Sequence, residues 1–294
     1  MNDLLFQAAR LALPLVLATL AEVVAERGGV VNLALEGMML VGALTAWLVG
    51  AGGGGAALGP ALLAAVAASL LVTLLLALFV VRLRTDAIVT GTTLHFVCFG
   101  ATGLLFERLK RSASVTTFAD LPAPWPAVPW LGTLALVAAI LVLLFRTRAG
   151  LLLRAAGDGP AALQAAGGSP ARSRTLAILL AGAIAGLAGA SLTTVLTGTF
   201  VEGMTAGRGF LALALVLFAR WHPLGALGAG LFLGGMFALE LHASTLAATP
   251  GGVGALTFVL RALPYLLCIA ALALVGGRPD AAPRALGRPL DGDG

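Results

Sequence analysis

Residues 146–174 read RTRAGLLLRAAGDGPAALQAAGGSPARSR, a basic segment broken by glycine and proline that separates two long apolar runs. It contains five arginines, and Asp158 is its only acidic residue. Arginine-rich loops between hydrophobic runs lie on the cytoplasmic side of a membrane. Loops of this length usually contact something or carry function. The segment therefore predicts a membrane protein with a cytoplasmic contact surface.

The rest of the 294-residue chain is strongly apolar. Hydrophobic residues make up 60% of the sequence and charged residues 11%, and the mean hydropathy is +1.03. A soluble domain carries roughly 25% charged residues, so this chain has too few to cover a water-facing surface. A helix needs about 20 apolar residues to span a bilayer, or fewer when it is broken or tilted. Nine apolar runs approach this requirement: 4–20, 33–49, 56–81, 87–106, 128–145, 175–196, 210–219, 224–241 and 255–275.

These runs predict an all-α polytopic membrane protein. They are continuous blocks of Leu, Ala and Val, whereas a membrane β-barrel needs alternating segments. We expect roughly eight to ten transmembrane helices, with a broken segment near the N-terminus. The transmembrane domain should cover residues 1–276 and include the loop 146–174. Residues 277–294 are rich in Pro, Gly, Arg and Asp and predict a disordered cytoplasmic tail.

The sequence contains no H-E-x-x-H or G-x-S-x-G catalytic motif. The net charge of +5 comes mostly from arginines in inter-helical loops, which indicates membrane orientation and no nucleic acid partner. A phosphate-binding G-x-x-x-x-G-K-[ST] loop needs a lysine, and the only lysine, Lys110, has no such glycine pattern before it. Metal ligands are not clustered either, because His95, His222 and His242 are far apart in sequence. We therefore expect no catalytic residue, no metal and no cofactor in a chain that is not an enzyme. His95 is interpreted as a core histidine rather than a proton relay.

Polar residues cluster between the first two apolar runs. Arg27 can pair with Glu22 or Glu26 at helical spacing, which would make the cluster an interfacial loop with ordinary salt bridges. The alternative is a broken membrane segment around Asn32 whose freed backbone lines a cavity.

Glu36 has apolar residues on both sides, in VVNLALEGMMLVGAL. A carboxylate in such surroundings needs a partner, a water-filled cavity or a helix N-terminus. Glu36 is therefore a candidate for a structural cap or hinge, or for direct contact with a solute. Gly37, which follows it, would permit a chain break or a close helix approach.

Four strings carry a resemblance to a known family. NLALEGMMLVGA at 32–43 resembles the motif after the first helix in permeases of ABC importers for nucleosides and simple sugars, which are related to branched-chain amino acid permeases. The segment 146–174 resembles their cytoplasmic coupling loop. MTAGRGFLALALVLFARWHPLGA at 204–226 and LPYLL at 263–267 are similar to two further signatures of the group. The strings occur in the family's order over nearly the whole chain.

The resemblance implies a permease subunit that has no ATP site of its own. Such permeases assemble with two cytoplasmic ATP-binding subunits, with a second and often different permease chain, and with an extracytoplasmic solute-binding protein. The resemblance places the coupling contact at Arg154, Gly157, Asp158, Pro160 and Gly167, with a short coupling helix near 161–166. It also places three residues near the translocation path: Asn32, Glu36 and Gly37. The coupling loop departs from the pattern of many importers because it lacks a glutamate.

The sequence leaves three transport functions open, which differ in the solute or in the energy source. A nucleoside permease of the plasma membrane, closest to guanosine-type subunits, fits the wording of the motifs best. A permease of the same family for a simple sugar is the alternative. An ion-coupled secondary transporter would instead use an intramembrane carboxylate, with Glu36 as the best candidate.

Overall fold

The computed structural model describes residues 2–50, 58–112, 127–247 and 282–288, together with the single positions 262, 266 and 269. These residues form helices and turns, and none of them lies in a β-strand. The described helices are α1 Asn2–Arg27, α2 Leu35–Gly50, α3 Leu58–Ala77, α4 Ala87–Ser112, α5 Ala127–Arg146, α6 Arg148–Asp158, α7 Pro160–Ala165, α8 Pro170–Ser191, α9 Arg208–Ala219 and α10 Pro223–Ala247. Single π-helical turns extend α3 through Leu78–Arg82 and α8 through Leu192–Thr197.

Six helices of the described residues are long and apolar enough to cross a membrane. They are α1, α3, α4, α5, α8 and α10. Two other expected runs form the shorter apolar helices α2 and α9. The run 255–275 lies outside the described residues, apart from three single positions. The all-α membrane fold is therefore confirmed, whereas the described residues contain six long spans and not eight to ten.

Helices α1, α2 and α8 form the centre of the bundle. Helix α1 packs against α8, α9 and α10, and α2 packs against α3, α4 and α8. The helices of the centre approach one another closely at small residues, which allow backbones to come together. A Cβ added at Gly186 of α8 would lie 2.6 Å from the Ala65 carbonyl oxygen of α3. Hydroxyl groups add local bonds, since Ser69 Oγ donates to the Gly182 carbonyl oxygen over 2.7 Å.

The bundle has two distinguishable ends. One end, which we call the arginine-rich end, contains Arg27, Arg84, Arg154, Arg174 and Arg220. The other end contains a cluster of three aromatic rings, in which Phe106 lies 5.5 Å from Trp47 and 5.0 Å from Phe200 between ring centroids. Helix α1 starts near the aromatic end and finishes at the arginine-rich end. Most of the long helices therefore run between two chemically different surfaces.

Segment 146–174 contains the expected short helix near 161–166 as α7, whereas most of its remainder is also helical and is not the long loop that its glycines and prolines predicted. Thr147 accepts a hydrogen bond from the Gly150 N–H over 3.1 Å and starts α6. Gly159 separates α6 from α7 in an extended conformation, and Pro160 occupies the first turn of α7. Gly167, with φ of +80°, ends the short helix. The prolines and glycines therefore act as helix starts and stops, as their conformational preferences allow.

Substitutions at two adjacent glycines of α10 can test how closely this helix packs on α1. A Cβ at Gly234 would lie 2.4 Å from the Ala12 Cα of α1, whereas a Cβ at Gly235 would meet no atom within 4 Å. We expect Gly234→Ala to destabilise the fold by about 1–3 kcal/mol through overpacking. Gly235→Ala should be neutral or slightly stabilising because alanine favours helix. Thermal unfolding of the purified variants in detergent measures the difference, and equal melting temperatures would contradict the α1–α10 contact.

Candidate functional site

The predicted coupling residues gather at the arginine-rich end, where α6 and α7 rest on the end of α1. Gly157 is buried there, and a Cβ on it would lie 2.3 Å from the Arg27 carbonyl oxygen. An open cleft of about 730 Å³ lies beside this contact. Helices α6 and α7 line it with Arg27, and Ala282 and Arg284 contribute another part of its wall. Gly157 therefore serves the internal packing of α6 on the end of α1.

The other four predicted coupling residues differ in exposure. Asp158 is exposed and lines the cleft, and Gly167 is exposed with open space around its Cα. Pro160 is half-buried at the start of α7. The Arg154 guanidinium lies 5.0 Å from the centroid of the Phe145 ring, a cation–π contact. Asp158 and Gly167 are thus the two of these residues that face outward.

Part of the expected disordered tail is ordered against the coupling helices. The Ala285 N–H donates to the Gly157 carbonyl oxygen over 2.8 Å, and the Gly287 N–H donates to the Gly29 carbonyl oxygen over 3.1 Å. Arg174, only 2% exposed, donates to the Arg288 carbonyl oxygen over 2.7 Å and to the Ala285 carbonyl oxygen over 3.4 Å. Residues 282–288, which we call the strap, therefore join the start of α8, the end of α6 and the turn after α1. The remainder of 277–294 lies outside the described residues.

Arg174 should control how firmly the strap is held. Trypsin cuts poorly before proline, and proline follows Arg278 and Arg288, so Arg284–Ala285 is the one readily cut bond after residue 277. Ala285 is buried when the strap is docked. We expect Arg174→Gln to accelerate cleavage at this bond because the strap carbonyls lose their charged donor.

The matched control for this digestion is Arg172→Gln, since Arg172 is exposed and lies on the same helix. Mass spectrometry of the C-terminal fragment gives the cleavage rate of each variant. Cleavage of the Arg174→Gln protein at the rate of the control would rule out the proposed anchoring.

Glu36 caps the N-terminus of α9. Its carboxylate accepts a hydrogen bond from the Gly207 N–H over 2.7 Å and another from the Gly209 N–H. Glu36 itself lies in the first turn of α2 and is 4% exposed. A Cβ at Gly209 would lie 2.7 Å from the Glu36 Cα, so glycine permits this approach. The positive end of the α9 dipole and two backbone donors explain how a carboxylate is stabilised among apolar helices.

The neighbouring acids are also engaged with protein groups. Glu22 accepts a hydrogen bond from the Asn32 N–H over 2.8 Å, which places Asn32 in the turn between α1 and α2. Glu26 accepts one from the Trp221 indole N–H, and Arg27 donates to the Trp221 carbonyl oxygen over 2.8 Å. These bonds tie the end of α1 to the α9–α10 turn. They replace the Arg27–Glu pairing that the sequence spacing suggested as one interpretation.

Gly37 brings α2 against α4. A Cβ on it would lie 3.0 Å from the His95 Cα and 2.9 Å from the Cys98 Cβ. The His95 ring is buried beside the Phe99 and Phe210 rings, at centroid distances of 6.2 and 5.1 Å. Asn32, Glu36 and Gly37 thus lie around the start of α2, with α4 on one side and α9 on the other.

The described residues contain no cluster of His, Cys, Asp and Glu that could hold a metal ion. His222 lies at the arginine-rich end, where partial burial lowers its pKa and the charge of the nearby Arg27 lowers it further. Its ring stacks on Phe145 with 5.1 Å between centroids. This histidine is therefore biased towards the neutral form near the positively charged end.

The contribution of the Glu36 cap to stability can be tested by substitution. Glu36→Gln removes the charge and leaves one amide oxygen where two carboxylate oxygens accept bonds, so we expect a loss of about 2 kcal/mol in stability. Glu202→Gln is the control because Glu202 is exposed. Thermal unfolding in detergent measures both variants, and unchanged stability of Glu36→Gln would show that the cap contributes nothing.

Comparison with known proteins identifies the family of the chain. The family described as the permease component of the branched-chain amino acid transport system matches residues 4–272. The chain belongs to this permease family. The guanosine ABC transporter permease protein NupQ of Bacillus subtilis is 33% identical to it over 95% of this chain and 93% of its own length. No solved structure matches the chain.

Two further relatives carry different substrate names. The nucleoside ABC transporter permease protein NupC of Lactococcus lactis is 31% identical over 93% of this permease and 92% of its own length. The putative glucose ABC transporter permease protein TsgC13 of Haloferax volcanii is 32% identical over 88% and 87%. The chain is therefore an ABC importer permease whose relatives include nucleoside and sugar permeases.

Sequence reasoning missed several residues of the site. Arg174 and the strap were missed because their bonds join positions more than 100 residues apart. Phe210 was not recognised as a site residue because it lies within an apolar run of the sequence. Its contact with His95 joins α9 to α4. The capping partner of Glu36 was not identified either, since Gly207 and Gly209 are over 170 positions away.

Proposed function

We propose that this permease forms the membrane path of a nucleoside importer and is driven by two separate ATP-binding subunits. The observation that carries the proposal is the pair of short helices α6 and α7 at the arginine-rich end, packed through Gly157 on the end of α1. A rigid unit at this place can pass movement of an attached ATPase directly to α1 and, through the strap, to α8. A second permease chain and an extracytoplasmic binding protein complete the proposed assembly.

The orientation follows from charge. Arginines concentrate at one end of the bundle, and positively charged segments favour the cytoplasmic side. We therefore place α6, α7 and the strap in the cytoplasm and the start of α1 outside. The coupling contact would use the outward-facing residues Asp158 and Gly167, with Pro160 fixing the start of α7.

The translocation path is proposed to run along the start of α2, past Asn32, Glu36 and Gly37. Support comes from the short length of α2 and α9 and from the position of Glu36 at the N-terminus of α9. Helices that begin within a membrane are common at solute sites of transporters. Because two backbone donors already hold the Glu36 carboxylate, we assign it to the architecture of the path and not to ion coupling.

Nucleosides are favoured over sugars because two of the three relatives above carry guanosine or nucleoside in their names. The glucose relative keeps a simple sugar as the second candidate. Uptake of radiolabelled guanosine and glucose by the complete transporter in proteoliposomes separates them. We expect ATP-dependent guanosine uptake that survives collapse of ion gradients, and gradient-dependent uptake without ATP would instead support a secondary transporter.

Coupling can be tested on the exposed face of α7. Ala165 is exposed, whereas Leu163 beside it is buried, so the helix has a clear outer side. We expect Ala165→Trp to leave folding intact and to reduce guanosine uptake about tenfold by obstructing the ATPase contact, a loss of about 1.4 kcal/mol. Co-purification of the ATPase subunits should fall in parallel.

The control is Ala101→Trp, which places the same side chain on an exposed position of α4. Gly157 is unsuitable for this test because its substitution would disturb the internal contact with Arg27. Normal uptake and normal ATPase binding in the Ala165→Trp transporter would overturn the coupling role of α7.

A further inference from the structure

We infer that His95, Phe99 and Phe210 form a mid-membrane site for the planar base of a nucleoside. We call these three residues the aromatic cradle. The inference rests on the proposed function and deepens it, since it names the side chains that would recognise the solute. The cradle lies where α4 and α9 meet the first turn of α2.

The depth of the cradle follows from helix lengths. Helix α9 has 12 residues and ends at the arginine-rich end, so its N-terminus lies about 18 Å from that end at 1.5 Å per residue. His95 follows the first residue of α4 by eight positions, which corresponds to about 12 Å. The hydrocarbon core of a bilayer is about 30 Å thick. Phe210 and His95 therefore lie near the middle of the membrane, where transporter sites commonly occur.

The three side chains offer both a stacking surface and a polar group. The Phe99 and Phe210 rings remain 43% and 40% exposed in this chain, whereas His95 is only 9% exposed. The His95 and Phe210 rings meet edge to face, with an angle of 78° between their planes. The imidazole thus lies beside two partly exposed aromatic side chains.

His95 supplies the observation that points to a ligand. Its Nδ1 atom is enclosed and has no hydrogen-bond partner among the described residues. Buried polar atoms are normally paired, and an exception calls for a water or a ligand group. If His95 served only core packing, the desolvation cost of its unpaired Nδ1 atom would be unexplained. A nucleobase has ring nitrogens and exocyclic groups that supply donors and acceptors.

A nucleobase fits this combination better than an ion or a lipid tail. Stacking on aromatic side chains is the usual way proteins hold an unpaired base, because every base has a flat π-face. A lipid tail would satisfy the phenylalanines but not the imidazole. An ion would need several oxygen ligands, and the Glu36 carboxylate at the start of α2 already accepts two backbone bonds.

Photolabelling with 8-azidoguanosine tests the site in the complete transporter. We expect the label to attach to the peptides that contain His95 and Phe99 or Phe210. Excess guanosine should compete with the label and excess glucose should not. Phe99→Leu and Phe210→Leu should each reduce labelling about tenfold because the stacking face is lost.

Two further variants keep the result interpretable. Phe99→Tyr retains an aromatic face and should keep its labelling even if Phe99→Leu folds poorly. Phe232→Leu is the control, since Phe232 is 54% exposed on α10 and lies outside the cradle. Labelling elsewhere in the chain, equal competition by glucose, or equal labelling of the cradle and control variants would overturn the inference. Failure of the proposed function would appear separately, as wild-type transporter that imports no guanosine with ATP.

Discussion

The Glu36 carboxylate, bound to the backbone of Gly207 and Gly209, is the contact on which the inner architecture depends. A helix that starts inside an apolar bundle leaves unpaired N–H groups at its first turn. In α9 a carboxylate from α2 satisfies two of them, and the charge also suits the positive end of the helix dipole. Without this contact, α9 would begin with costly unpaired donors among apolar side chains. Since α2 and α9 meet at Glu36 and Gly209, the same contact fixes the surroundings of the proposed solute site.

The arginine-rich end is organised by a second set of backbone contacts. Gly157 brings α6 against the end of α1, and the strap closes over this junction through Ala285 and Gly287. Arg174 is buried and its donors reach the strap carbonyls, so a charged side chain holds backbone here. The proposed coupling unit is therefore not an isolated helix pair. It is continuous with α1, with α8 and with the C-terminal segment.

The C-terminal end of α1 connects these regions. Glu26 and Arg27 bind Trp221 at the α9–α10 turn, and Glu22 binds the turn that leads to α2. Movement of the coupling helices against the end of α1 would thus act on both short helices, α2 and α9. Under the proposed function, this arrangement would give a physical route from an attached ATPase to the proposed aromatic cradle.

The sequence by itself determined the class of the protein. Long apolar runs with few charges require helices in a bilayer, because backbone groups must pair within each segment. A short helix near 161–166 was also expected from the sequence and is present as α7, although the glycines and prolines around it suggested a loop. Glu36 was recognisable as a residue that needs a partner, since a carboxylate among apolar residues carries a high desolvation cost.

Only the tertiary structure decided which groups meet. Hydrophobic periodicity does not encode that Glu36 reaches α9, that Arg174 holds the strap or that His95 faces Phe210. These contacts join distant positions, and the contact of Glu36 with α9 also depends on the close helix approach that Gly209 permits. The tail shows the same limit, because its composition predicted disorder while residues 282–288 gain order from backbone bonds to Gly29 and Gly157. Composition therefore defines the membrane protein, and the close packing of its helices defines the candidate site.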